Sequence, residues 1–160
     1  MTRWALLVLV AVGCAPAAEG DTEPRYVFTP DAVLEGETVK WAARWAAATG
    51  LDITVGPGGT RVIDDDSWSD DSGQCGAEIA TYRGSRLVHD EIHIDRTSPP
   101  GCSGWGYVLG HEFGHGLGAE HAASGMMQQR LPVGHVYRIS AESLEQVCSR
   151  APCRTFAPEE

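Results

Sequence analysis

The stretch GHEFGHGLGAEH, residues 110–121, constrains the fold of this chain more than any other part of its sequence. His111 and His115 are four residues apart, so on a helix they stand on the same face, one turn from each other. Two imidazoles in that arrangement can bind one Zn²⁺ ion. Glu112, beside the first histidine, can hold a water molecule that the metal also binds. The spacing therefore predicts a zinc site on a helix over residues 105–117.

The residues after this helix offer a third ligand. Gly118 tolerates a positive φ, so the helix can end there and the chain can turn back toward the metal. His121, three residues later, then reaches the metal as its third ligand. Three protein ligands leave a fourth position for water, which is the arrangement of a catalytic zinc site and not of a structural one. Glu142 or Glu145 is an alternative third ligand, which His121 makes unnecessary.

The segment HEFGHGLGAEH matches the pattern HExxHxxGxxH at every fixed position, and it resembles the zinc signature of the metzincin metallopeptidases, in their matrixin-like bacterial branch. The resemblance implies a zinc-dependent endopeptidase in which the three histidines hold the metal and Glu112 is the general base. It also implies a methionine turn beneath the metal, for which Met127 is the first choice and Met126 the alternative. The runner-up is a zinc-binding protein on the same scaffold that does not cleave peptides, against which the retained Glu112 argues.

The first residues, MTRWALLVLVAVGCAPAAEGD, are typical of an export signal. Their apolar run is too short to span a bilayer, and the residues that end at Cys14 resemble the lipobox of bacterial lipoproteins. This resemblance implies a signal peptide over residues 1–13 and a lipid on Cys14 as the membrane anchor. An ordinary signal peptide cut near residues 15–18 is the alternative. Residues 14–24 lack periodicity and predict a flexible tether, and residues 25–160 form the predicted catalytic domain.

Four further cysteines predict two disulfides, because an even number of cysteines in an exported chain is typical of disulfide pairing. Three pairings are possible for four cysteines. The favoured pairs are Cys75–Cys102 and Cys148–Cys153, since the last two cysteines are separated by only four residues. A structural zinc site on these thiols is disfavoured because the chain contains no CxxC pair.

The net charge of −10 and the lack of a basic cluster argue against nucleic acid as a partner. The expected partner is a protein or peptide substrate, and the chain is expected to be a monomer. The acidic run over residues 64–73 offers Asp64, Asp66, Asp70 or Asp71 as calcium ligands. Because the run lacks the glycine and the spacing of an EF-hand loop, a solvated turn is the favoured interpretation.

Periodicity and turn residues predict an α+β domain with an N-terminal helix, an active-site helix and a C-terminal helix. The resemblance to the metzincins implies that the strands form a small mixed sheet. The predicted helices cover residues 37–49, 105–117 and 140–150, and the predicted strands cover residues 51–55, 61–63, 77–83 and 91–96. By analogy with the metzincins, strand 91–96 is expected at the edge of the sheet, where it pairs with an extended substrate. Ile92 and Ile94 then face the core, and His93 and Asp95 lie on the other face.

Other conspicuous side chains are interpreted as structural. Trp41 and Trp45 fall on one face of the first helix, which predicts that they pack in the core. His89 and His93 on one strand would be about 13 Å apart, too far to share a metal ion. His135 follows the methionines and is expected in a loop.

Overall fold

The computed structural model describes residues 25–68, 74–83, 86–97, 102–131 and 133–159, with only the backbone of residues 82, 83 and 86–89. The predicted signal peptide over residues 1–13, the tether over residues 14–24 and the lipid-bearing Cys14 lie outside the described residues. Asp70 and Asp71 of the calcium prediction also lie outside them.

Within the described residues the chain folds as an α+β domain, which confirms the predicted class. Its elements follow in the order β1 (Arg25–Pro30), α1 (Glu35–Thr49), β2 (Asp52–Val55), β3 (Thr60–Asp64), β4 (Gly76–Arg83), β5 (Arg86–Ile94), α2 (Trp105–Gly116) and α3 (Ala141–Arg150). A short 3₁₀ turn over Gly125–Met127 lies between α2 and α3. Ser140 caps α3, since its side chain accepts a hydrogen bond from the Ser143 amide. The three predicted helices thus form within two residues of their expected bounds.

The strands that the structure describes form one mixed sheet in the order β2-β1-β3-β5-β4. Strand β1 runs parallel to β2 and β3, β3 runs parallel to β5, and β4 runs antiparallel to β5 at the edge. The prediction that residues 91–96 form the edge strand is wrong, because that segment belongs mostly to β5, which is paired on both sides. Alternation along a strand tells which side chains face the core, whereas its place in the sheet depends on pairing with distant strands.

Strand β5 nevertheless faces the core as its alternation predicts. Ile92 and Ile94 are fully buried, and His93 points to the opposite face of the sheet. Asp95 is also buried, because the strand ends at Ile94 and Asp95 closes the following turn by accepting hydrogen bonds from the amide and hydroxyl of Thr97. The burial of Asp95 is therefore a consequence of the turn and not of the strand.

Helix α1 packs closely on α2 through two tryptophans. Trp41 and Trp45 have no exposed surface, as the spacing along α1 predicts. A Cβ atom at Gly110 would lie 2.4 Å from the Trp41 indole, and one at Gly114 would lie 2.2 Å from the sulfur of Met127. The glycines of α2 lower its intrinsic helical stability, but they let it approach α1 more closely than any other residue would.

Two disulfides join described cysteines in the favoured pairing, Cys75–Cys102 and Cys148–Cys153, with Cα–Cα distances of 5.6 and 5.2 Å. The first ties the start of β4 to the segment before α2, and the second ties the end of α3 to the C-terminal tail. Amides of this tail donate hydrogen bonds to carbonyls at the end of α1. In the part of the chain that the structure describes, no helix has both the length and the apolar composition to cross a membrane.

Candidate metal centre

Helix α2 and the turn after it bring three histidines together. His111 and His115 stand one turn apart on α2, and Gly118 follows with a φ of +95°. This left-handed residue reverses the chain, so that His121 returns to the same place. The ring centroids of the three imidazoles lie 4.7, 5.3 and 4.9 Å apart. Among the described residues this is the only group of three His, Cys, Asp or Glu side chains close enough to share a metal ion.

Backbone carbonyls determine which nitrogen carries the proton on two of these imidazoles. Nδ1 of His111 lies 2.7 Å from the Met126 carbonyl oxygen, and Nδ1 of His115 lies 2.8 Å from that of Ala119. Since a carbonyl oxygen only accepts hydrogen bonds, each Nδ1 carries the proton and donates it. The two Nε2 atoms, each with a lone pair, then face each other at 3.1 Å. Two lone pairs at that distance repel unless a cation lies between them.

Burial keeps these imidazoles neutral at physiological pH. It lowers the pKa of His111 to about 4, although the hydrogen bond to Met126 acts in the opposite direction. Burial also lowers the pKa of His115, whereas the His121 ring is exposed. Neutral imidazole is the form that binds transition-metal ions, so the fold presents His111 and His115 as ligands ready for a metal.

The geometry of the group suits a zinc ion. All of its ligand atoms lie within 4.8 Å of one another. Zn–N bonds of about 2.0–2.1 Å place two nitrogens roughly 3.3 Å apart on a tetrahedral ion, close to the separation of the two Nε2 atoms. Nitrogen ligands favour zinc and its neighbours among the transition metals over Ca²⁺ or Mg²⁺. The three histidines are therefore a possible metal-binding group whose chemistry fits Zn²⁺.

Glu112 lies beside the histidines on α2 and is only 6 % exposed. Its Oε2 atom accepts a hydrogen bond of 2.9 Å from the backbone N–H of Glu78 on β4. Burial raises the pKa of the Glu112 carboxyl to about 8, the hydrogen bond opposes this shift, and the charge of Glu78 adds to it. A buried carboxyl of such basicity, next to three histidines that could hold a metal ion, can take up and release protons near neutral pH.

A cleft of about 900 Å³ opens over Glu112 and the three histidines. One wall is formed by the start of β4, residues 74–78, and the opposite wall by residues 128–131. Both methionines of the preceding turn are fully buried, and Met127 packs with its sulfur against α2 at Gly114. Met126 contributes the carbonyl that orients His111. Met127 stays the first choice for the methionine turn.

The other residues considered as ligands lie elsewhere. Glu142 and Glu145 on α3 do not belong to the histidine group, and Glu142 accepts a hydrogen bond from the Ala123 amide instead. The calcium prediction gains no support from Asp64, whose two carboxylate oxygens both bind Arg96. Among the described residues, therefore, neither the alternative third ligands nor the candidate calcium ligands form a metal-binding group.

Two further histidines lie away from the cleft. His93 is on the opposite face of the sheet, where its Nδ1 lies 3.1 Å from Asp65 and its ring stacks on Trp68. His135 is exposed in the segment after the 3₁₀ turn, as predicted. The side chain of His89 lies outside the described residues.

Sequence reasoning missed the contribution of β4 to the site. The segment 77–83 is recognised as a strand, but nothing in it indicates that the Glu78 amide holds Glu112 or that this strand forms the cleft wall. A lone glutamate in a strand is usually a solvent-facing residue, so it carries no local signal. The only hint is Gly76, where a Cβ would lie 2.7 Å from Val108 of α2, which indicates a close approach of strand and helix.

No protein family matches this sequence, and no curated protein matches it. The resemblance to the metzincins therefore rests on residues 111–121 and on the positions that the fold gives them.

Proposed function

We propose that this protein is an exported zinc-dependent endopeptidase of the metzincin kind, which hydrolyses peptide bonds in the cleft beside β4. One observation carries the proposal: the lone pairs of His111 and His115 converge beside the buried Glu112 at the base of an open cleft. A purely structural metal site has four protein ligands and no need of a neighbouring base. Three histidines with an adjacent carboxyl are instead typical of hydrolytic sites.

In this proposal His111, His115 and His121 hold Zn²⁺ through their free ring nitrogens. The carbonyls of Met126 and Ala119 keep the first two rings in the required tautomer and orientation. Groups that hydrogen-bond to the ligating histidines do the same in other zinc sites. When bound there, Zn²⁺ supplies Lewis acidity, which makes water more acidic and polarises a peptide carbonyl.

Glu112 is the proposed general base. Its carboxylate takes the proton from the attacking water and later gives it to the nitrogen of the leaving amine. The Glu78 amide holds one carboxylate oxygen, Oε2, and so fixes the direction in which Glu112 presents the other. Burial of Glu112 disfavours its ionised form and so raises the basicity of the carboxylate.

Strand β4 is the proposed docking strand for the substrate. Among the described strands it pairs with β5 alone, so its other edge presents backbone groups toward the cleft. An extended peptide can add to such an edge through main-chain hydrogen bonds. This assigns to β4 the role that the sequence alone suggested for residues 91–96.

Export and a lipid anchor on Cys14 belong to the same proposal. The two disulfides support an oxidising compartment, which is where secreted chains form them. The acidic net charge of −10 supports a protein or peptide substrate over nucleic acid. We further propose that the protein acts as a monomer.

The test compares the purified wild-type protein with the Glu112→Gln and His135→Ala variants. Bound zinc is counted by atomic emission, and cleavage of a mixed peptide library is followed by mass spectrometry. We expect one zinc per chain in all three proteins, and cleavage by the wild type and by His135→Ala only. Zinc binding without cleavage by any of them would favour the non-proteolytic zinc-binding protein. A wild-type protein that binds no zinc would overturn the proposal.

A further inference from the structure

The carboxyl side chains of Glu78 and Asp90, on β4 and β5, are close enough to interact. Glu78 on β4 is paired with Ile92 of β5, and Asp90 lies two residues from Ile92 along β5, opposite Ala80. Successive side chains alternate between the faces of a sheet, so Glu78 and Asp90 share the face on which Ile92 is buried against the core. Such diagonal neighbours on adjacent strands are within reach of each other when one side chain is long.

The surroundings of Asp90 leave one of its oxygens without a donor. Its Oδ2 atom accepts a hydrogen bond from the hydroxyl of Thr60 on β3. Its Oδ1 atom is buried and has no hydrogen-bond partner of normal geometry among the described residues. A buried carboxylate oxygen without a donor is costly, and native folds rarely leave one. A proton on the Glu78 carboxyl would supply the missing donor.

Among the side chains that the structure describes, no positive charge from the neighbouring strands faces this pair. Arg61 of β3 and Glu91 of β5 bind each other on the opposite face of the sheet, 2.9 Å apart. On the side of the pair, α2 contributes Glu112, which is itself acidic. Burial and the neighbouring Asp90 together raise the pKa of Glu78 to about 7. Two carboxyls in such surroundings favour the state in which they hold one proton between them.

We propose that Glu78 and Asp90 share one proton, and that this half-neutral pair positions Glu112 by keeping β4 against α2. The link between them is direct, because the backbone N–H of the same Glu78 donates to Oε2 of Glu112. When the shared proton is released to water, two carboxylates face each other beside a third acid. Their repulsion then separates β4 from α2 and weakens the hydrogen bond to Glu112. The consequence for catalysis rests on the proposed function, whereas the shared proton does not.

The first arm of the test follows the side-chain carboxyl signals of Glu78 and Asp90 by NMR as the pH is raised, in metal-free and zinc-loaded protein. The wild type is compared with Asp90→Asn and with Glu91→Gln, which removes a carboxyl from the opposite face of β5. We expect Glu78 to titrate near pH 7 in the wild type and in Glu91→Gln. In Asp90→Asn its midpoint falls by about one pH unit or more, because an amide can donate to the Glu78 carboxylate.

A Glu78 midpoint near the ordinary value of 4.5 in the wild type would overturn the shared proton. An unchanged midpoint in Asp90→Asn would overturn it as well. If Asp90→Asn fails to fold, Asp90→Ser removes the same carboxyl, and the Glu78 midpoint is measured in that variant instead.

The second arm measures the positioning role. Hydrogen exchange of the residue 78 amide is expected to show a step near the Glu78 midpoint in the wild type, and no step in Glu78→Gln. In the same pair of proteins, the alkaline fall of kcat/KM for a cleaved peptide is expected only in the wild type. A shared proton without either change would overturn the role assigned to it. A protein that cleaves nothing would refute the proposed function, while the titration and the exchange step still decide this inference.

Discussion

The two sides of α2 differ in chemistry, although they belong to the same twelve-residue helix. The side toward α1, which we call the packed side, meets Trp41 and Trp45 through glycines and has no exposed surface at the tryptophans. The side toward β4, which we call the cleft side, carries the histidines of the candidate metal centre and Glu112. Large apolar rings buried on one side contribute to stability, about 1.5–3 kcal/mol for each fully buried large side chain.

The cleft side has the opposite energetic character. Burial there raises the pKa of Glu112 to about 8 and lowers that of His111 to about 4, so ionised forms are disfavoured in both cases. Buried polar groups of this kind reduce stability unless a ligand compensates them. The comparison teaches that α2 can carry reactive groups on one side because the other side holds it in place. Four predictions test this division.

The largest effect is expected from His115→Ala on the cleft side. Removal of a ligand should lower the zinc affinity by at least about 100-fold, because losing only a hydrogen-bond partner of a ligand already lowers metal affinity by about 10–100-fold. The unfolding free energy of the metal-free protein should change little, since the variant also removes the repulsion between two Nε2 lone pairs. Competition titration with a chelator and urea unfolding measure the two quantities. His135→Ala, in an exposed segment, is the matched control and should change neither.

Strong destabilisation of the metal-free His115→Ala protein would contradict the contrast between the two sides of α2. A residue of the cleft side would then be needed for folding.

The next effect is expected from Gly110→Ala on the packed side. The new Cβ would meet the fully buried indole of Trp41 at 2.4 Å, and a rigid ring cannot move aside. Overpacking of this kind costs about 1–3 kcal/mol. Gly36→Ala on α1 is the control, since a Cβ there meets nothing within 4 Å and should add about 0.5–1 kcal/mol. Thermal and urea unfolding measure both, and equal stability of the two variants would show that α1 and α2 are not in close contact.

The sequence predicts the residues on α2 and α1 better than it predicts the wall of the cleft. The histidines, Glu112 and Gly118 lie within one helix and one turn, so their spacing along the chain is also their spacing in space. The tryptophan stripe of α1 is local in the same sense. These features were within reach of the sequence because helical periodicity relates neighbours to one another.

The cleft wall could not be predicted from the sequence, because no local periodicity relates β4 to α2. The strand at the edge of the sheet is determined by two pairings, β4 with β5 and β5 with β3. The β3–β5 pairing joins segments that are far apart along the chain. Strand β1 is missing from the prediction because its short alternation, RYVFTP, ends at a proline and resembles a loop. Glu78 follows from neither pattern, since its importance arises only when β4 is placed against α2.

A smaller effect is expected from Met127→Leu, which lies between the two sides of α2. The sulfur packs against α2 at Gly114, so the change alters shape at nearly constant volume and should cost less than about 1.5 kcal/mol. Zinc affinity should stay within a few-fold of the wild type. Met126→Leu is the matched control, because both methionines are fully buried. A loss of zinc affinity above tenfold in Met127→Leu alone would show that the packed side reaches the metal ligands.

The smallest effect is expected from Glu159→Gln at the C-terminal tail, outside the cleft. Its carboxylate binds Arg44 of α1 and accepts the Ile139 amide at 2.9 Å. Burial alone would raise the pKa of Glu159, but these bonds outweigh it and lower the pKa below its ordinary 4.5. A lowered pKa stabilises the fold above pH 4.5, and this contribution is lost as the pH falls through the folded value. The cleft carboxyl of Glu112 has the opposite sign and costs stability as the pH rises from 4.5 toward 8.

Urea unfolding of the metal-free protein between pH 3 and pH 8 measures how the unfolding free energy depends on pH, and so separates the contributions of Glu159 and Glu112. Glu159→Gln should be less stable than the wild type by about 0.5–1 kcal/mol at pH 7, a modest value because the pair is partly exposed. The difference should vanish near pH 3. In Glu112→Gln the difference should have the opposite sign and grow above pH 4.5. Glu120→Gln controls for an exposed ion pair, since Glu120 is 70 % exposed beside Arg150 and should show almost no difference at any pH. Parallel slopes for Glu159→Gln and Glu112→Gln would mean that the two carboxyls share one environment, and the contrast between the tail and the cleft would then be lost.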